Sequence, residues 1–161
     1  MYRTIVLAYD GTVESRTALR EGALLAKRCG AAVHLLAIVP GGAGLRLAEG
    51  VQFGAVARAE DAFRETLEEG LRRLESIGLK ATAKLCVGDP ISEIRACARA
   101  VKAELVVVGL RKQSAVQRWW GGSSGAYLAD QIDCSLLIAR SVVEEKAFDA
   151  ECAAVKEAMP G

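Results

Sequence analysis

Short apolar runs alternate along this chain with longer segments of helical period, and that alternation restricts the fold more than any other feature. Thr4 to Tyr9, Val33 to Val39, Leu105 to Val108 and Leu136 to Ala139 have the length and near-continuous hydrophobicity of parallel strands covered on both faces. A fifth run, Ala81 to Val87, is less apolar and alternates, as an edge strand does. Between the runs, residues 14 to 29 place Ala18, Leu19, Gly22, Ala23, Ala26 and Cys29 on one face before Gly30, which predicts a helix with a glycine cap. Phe63, Leu67, Leu71, Leu74 and Ile77 recur at helical spacing before Gly78 and predict a second helix. Asp89 and Pro90 supply a cap and a first-turn proline for a third, striped by Ile91, Ile94, Ala98 and Val101. A weaker helical segment covers residues 124 to 132, behind Gly122, Ser123 and Ser124. Five strands separated by four helices imply an α/β fold: a five-stranded, doubly wound parallel sheet with helices on both faces.

A chain of 161 residues accommodates one such domain, here residues 1 to 140. Residues 141 to 161 read as a C-terminal extension, helical through Phe148, Cys152, Val155 and Met159, and the glycine-rich residues 40 to 54 read as a loop. Twenty-one Lys plus Arg against twenty Asp plus Glu give a formal charge of +1 with no charged tail, which speaks against nucleic-acid or membrane-surface binding. The start, MYRTIVLAYD, shows neither a secretory signal nor a transit peptide, and no stretch reaches the roughly 18 apolar residues of a spanning helix, so a cytoplasmic protein is expected. Five cysteines without a CxxC pair fit neither a disulfide framework nor a zinc site and are read as reduced fillers. The single histidine, His34, lies in a strand run; no metal site and no catalytic residue is predicted.

In a doubly wound sheet a ligand binds beyond the carboxyl ends of the strands, where the strand order reverses. For the Rossmann-like order 3-2-1-4-5 that point lies between the first and fourth strands. Tyr9, Asp10 and Gly11 are therefore predicted to face Gly109 across a crevice. Gly121, Gly122, Ser123 and Ser124 precede a helix, where free backbone N–H groups favour an anion such as phosphate. The GxxxxGK[ST] and GxGxxG motifs are absent, so neither a P-loop nor a dinucleotide site is supported.

The segments TIVLAYDGTVES, CVGDPISEI, AELVVVGLRK and GGSSGAYLADQIDCSLLIAR, in this order over about residues 2 to 140, resemble the universal stress protein family. Nucleotide-binding members carry a glycine, two residues, a second glycine, nine residues, then glycine and Ser or Thr. Gly109, Gly122 and Ser123 keep that spacing, while Lys112 stands at the second glycine. The resemblance implies that Asp10 lies at the adenine and ribose end of a pocket, that the backbone of Val39 meets adenine, and that Gly88 and Asp89 close one wall. It further implies that Gly109 begins the loop around ribose and phosphate, and that Gly122, Ser123 and Ser124 bind phosphate. Lys112 has three readings: a solvated loop residue, an obstruction of the pocket, or a phosphate partner helped by Arg111 or Arg118. Trp119 and Trp120 either pack, one ring on the sheet edge and the other on a neighbouring helix, or leave one ring exposed to cover a ligand or touch a partner. The function implied is a stress-response module binding ATP or a related adenine nucleotide, with Mg2+ only alongside it. The alternatives are a nucleotide-free interaction protein and a slow ATP hydrolase with Asp10 or Ser123 near the phosphates. A homodimer through the last strand is also implied, as is an unidentified protein partner.

Overall fold

The computed structural model describes residues 1–40, 53–109 and 128–139, with the isolated positions 150 and 153 beyond them. Its strands are β1 (Thr4–Ala8), β2 (Ala32–Pro40), β3 (Ala81–Gly88), β4 (Leu105–Gly109) and β5 (Ser135–Ala139). The described helices are α1 (Val13–Cys29), α2 (Phe53–Ser76), α3 (Pro90–Ala100) and the short α4 (Leu128–Gln131). Every strand pairing is parallel and the order is β3-β2-β1-β4-β5, as predicted.

Period-two alternation divides the strand residues between two cores. Ile5, Leu7, Val33, Leu35, Ala37, Leu105 and Val107 point to one face, where α1 and α2 cover them. Val6, Leu36, Val106 and Val108 point to the other, beneath α3 and α4. Because both faces are covered, these strands read as continuous apolar runs. Among the described residues β3 pairs with β2 alone and exposes Thr82, Ala83, Lys84 and Val87, the predicted edge. Burial pushes up the thiols of Cys86, Cys97 and Cys134, in keeping with inert packing residues.

Local chemistry sets the helix ends. Thr12 caps α1 by accepting a hydrogen bond from Ser15 N at 3.2 Å, and Gly30, at φ 63°, closes it in the left-handed conformation. Asp89 caps α3 by accepting from Ser92 N at 2.9 Å, with Pro90 in the first turn. Two helical glycines bring helices close to the sheet: a Cβ on Gly22 would lie 2.4 Å from Leu7 Cδ2, and one on Gly70 would lie 2.9 Å from the Tyr9 ring.

Two expectations change. Pro40, Phe53 and Gly54, predicted within the glycine-rich loop, belong instead to the end of β2 and the start of α2, and residues 41–52 lie outside the described residues. Residues 57, 58, 61 and 62 of that helix are exposed, so no apolar stripe marks its start. Second, Tyr9 turns into the core instead of facing a crevice. Residues 124–127, the tryptophan pair Trp119 and Trp120, and the predicted C-terminal helix, save positions 150 and 153, lie outside the described residues.

Candidate functional site

The turn between β1 and α1 is held by a small ring of hydrogen bonds. Asp10 Oδ1 accepts from Thr12 N at 3.1 Å and from Thr12 Oγ1 at 2.6 Å. Ser15 Oγ donates to Thr12 O at 3.1 Å and accepts, at 3.4 Å, from Asp10 N. Gly11 turns the chain at φ 75°, a conformation that favours glycine. Both bonds to the carboxylate fall on Oδ1, and Asp10 is exposed. Among the described residues nothing engages Oδ2, so a ligand can meet a fixed carboxylate oxygen.

Gly109 lies two residues beyond Val107, which pairs with Leu7, and so reaches the level of Tyr9. A Cβ there would come within 2.4 Å of Glu14 O and 2.8 Å of Ser15 N, both backbone atoms of the first turn of α1. Asp10 and Gly109 are thereby joined through Ser15, at the switch point predicted for them. On the other flank β2 runs past the end of β1. Ala8 pairs with Leu36, whereas Val39 and Pro40 pair with Val87 and Gly88. Three extra residues carry Val39 about 10 Å beyond that level. Val39 and Pro40 thus run beside Val87 and Gly88 past the end of β1, and the carboxylate of Asp89 is occupied as the cap of α3. Lys112, Gly122, Ser123 and Ser124 lie outside the described residues, as do Arg111 and Arg118.

Tyr9 is 2% exposed because its ring packs beneath Gly70 on α2. Its hydroxyl donates to Glu69 Oε2. Glu69 Oε1 also accepts from Arg73 Nε at 2.5 Å and pairs with Arg16 Nη2 at 3.4 Å. Burial, and then the bond to Glu69, pushes the Tyr9 phenol up to about 12. Burial opposes ionisation of Glu69, but the bonds from Tyr9 and Arg73 and the charges of Arg73 and Arg16 outweigh it and hold the carboxyl below its usual value. Sequence reasoning did not single out Glu69, Arg16, Thr12 or Ser15. The Thr-x-x-Ser spacing before a helical run and the Glu69/Arg73 pair, four residues apart, were the available signals.

Residues 1–140 match the Universal stress protein family. A "Universal stress protein in QAH/OAS sulfhydrylase 3'region" from Thermus aquaticus is 29% identical over 152 residues, covering 87% of this chain and all of that protein. Two solved structures share the fold. A universal stress protein from Archaeoglobus fulgidus in complex with dAMP has a TM-score of 0.64 at 21% identity, covering 86% of this chain and 98% of its own. A universal stress protein in complex with cAMP has a TM-score of 0.64 at 20% identity, covering 86% of this chain and 97% of its own. The family match spans the whole described sheet, and on it the chain belongs to the universal stress protein family.

Proposed function

We propose that this protein binds an adenine nucleotide beyond the carboxyl ends of β1 and β4 and acts as a regulatory module in a stress response. The observation that supports the reading is the hydrogen-bonded turn that holds Asp10 after β1, while Gly109, at the end of the neighbouring β4, packs on Glu14 and Ser15 of the same turn and helix start. Neighbours of the same fold hold cAMP and dAMP, which supports an adenine ligand. In this reading Asp10 Oδ2 meets the adenosine end, the backbone of Val39 flanks the base beside Gly88, and the segment from Gly109 through Lys112 to Gly122, Ser123 and Ser124 takes the phosphates. Among the described residues no group of three His, Cys, Asp or Glu side chains converges to hold a metal. Mg2+ enters the proposal only as a counter-ion of ATP phosphates.

Calorimetric titration with AMP, ATP and GTP tests this reading. Saturable binding of AMP and ATP, with GTP weaker, is the expected result. No binding of any of them at millimolar nucleotide would overturn it. The second reading, a nucleotide-free dimeric interaction protein, would then stand, and its supporting observation is the half-buried Leu136, Leu137 and Ile138 on edge strand β5. ATP binding accompanied by steady phosphate release would point instead to a slow hydrolase.

A further inference from the structure

Thr66, Glu69, Gly70 and Arg73 lie at helical spacing on one stripe of α2, and three of the four touch the β1–α1 turn. Gly11 packs so closely on Thr66 that a Cβ would lie 2.9 Å from Thr66 Cγ2. Gly70 admits the Tyr9 ring, and Glu69 receives the Tyr9 hydroxyl. The residues on either side of Asp10 are thus both fastened to α2. The bonds of Asp10 itself run forward to Thr12 and Ser15, within its own turn and the first turn of α1, and its N–H contact with Ser15 is long at 3.4 Å. The backbone of the turn is anchored to the sheet, where Tyr9 N–H donates to Leu36 O at 2.8 Å, and its side-chain contacts outside α1 are to α2.

A polar cluster of this kind is a poor device for stability. Its ion pairs are partly exposed, with the Glu69, Arg73 and Arg16 side chains 26%, 37% and 42% exposed, and such pairs add little to stability, whereas the paired charges demand one geometry. Arg16 contributes a buried Nε that has no acceptor among the described residues, so its compensation falls on Glu69. Tyr9, 2% exposed, stands where a leucine or valine at the end of β1 would have filled the core without a hydroxyl to satisfy. The cluster supplies a single position for the residue that precedes Asp10.

Resting on the nucleotide reading above, we infer that Glu69 is a positioning residue for the nucleotide site: by holding the Tyr9 hydroxyl it fixes the Tyr9–Gly11 turn against α2 and so sets where Asp10 meets the ligand. Glu69 does not touch the ligand. Its influence passes through Tyr9 to Asp10.

The test is a double-mutant cycle on nucleotide affinity. Tyr9→Phe, Glu69→Gln, Asp10→Asn and the Tyr9→Phe/Asp10→Asn double variant are titrated with AMP and ATP beside the wild type, after circular dichroism has established that each is folded. Tyr9→Phe keeps the ring and Glu69→Gln keeps the side-chain shape, so both are expected to fold. Each should weaken AMP and ATP alike by about 3- to 10-fold, since both nucleotides present the same adenosine end. In the Asp10→Asn background Tyr9→Phe should cost less than it does alone. Full affinity in folded Tyr9→Phe and Glu69→Gln would overturn the inference while leaving the nucleotide reading intact. An undiminished loss in the Asp10→Asn background would also overturn it, because the effect would then not pass through Asp10. Failure of the wild type itself to bind would mark the nucleotide reading as wrong, and this inference with it.

Discussion

Gly109 has no room for a side chain, whatever ligand lies beyond it. Its nearest neighbours are backbone atoms of Glu14 and Ser15, which cannot rotate aside as the end of a leucine can. Gly109→Ala should therefore destabilise the fold by about 1–3 kcal/mol. Gly22→Ala should cost less, because its clash is with the flexible Cδ2 of Leu7. Denaturant melts of the two variants give the comparison, and equal losses would contradict the packing argument. A loss of nucleotide binding in Gly109→Ala is consequently no proof of contact unless stability is unchanged. Lys112 poses the opposite case, a side chain where family members that bind nucleotide carry glycine. If its ammonium pairs with phosphate, Lys112→Gly should weaken ATP binding by about 10- to 150-fold, the equivalent of one charge-assisted contact of roughly 1.5–3 kcal/mol. If it narrows the pocket, the same substitution should strengthen binding. Calorimetry separates the two by sign, and an unchanged affinity assigns Lys112 to solvent.

Glu69, Tyr9, Arg16 and Arg73 join three elements, and their titration gives that junction a pH signature. The folded-state phenol of Tyr9 titrates near 12 instead of 10.0, so the folded protein holds this proton more tightly than the unfolded chain. The stability this contributes is complete below pH 10 and is lost between about pH 10 and 12. Wild type should exceed Tyr9→Phe by about 1–2 kcal/mol near neutrality, and the gap should close as pH rises through that window. A gap independent of pH up to 12 would refute the assignment. Glu69 works in the other direction. Its carboxyl is held below the usual 4.5, so its contribution is present above that value and is lost as pH falls through the lowered one. The elements themselves were legible wherever the apolar pattern was strong, as in β1, β2, β4, the Gly30 end of α1 and the Asp89-Pro90 start of α3. The start of α2 was not, because exposed Ala57, Arg58, Asp61 and Ala62 carry no stripe. The inward turn of Tyr9 was hidden for a different reason. It depends on Gly70 and Glu69, sixty-odd residues away, and strand alternation ends at Ala8.

At the scale of the whole molecule, the sheet leaves two edges of unequal character. β3 is guarded by exposed Lys84 beside Thr82 and Ala83, a common way of discouraging edge pairing. β5 carries Leu136, Leu137 and Ile138 in partly buried positions, and only Ser135 is exposed. An apolar edge with unpaired backbone groups invites a partner, and a second copy related by a two-fold axis would meet it antiparallel, extending the sheet across the interface. Resemblance to family members that dimerise through this strand points the same way. We therefore expect a homodimer at micromolar concentration, with Phe148 and Val155 of the C-terminal residues 141 to 161 adding apolar contacts. Leu136→Lys should place an ammonium at that edge and shift the light-scattering mass to that of a monomer, while circular dichroism stays that of the folded protein. Deletion of residues 141 to 161 should weaken the dimer without abolishing it, because the strand pairing remains. A monomeric wild type at these concentrations would rule the assembly out. An unchanged dimer in Leu136→Lys would move the interface away from β5.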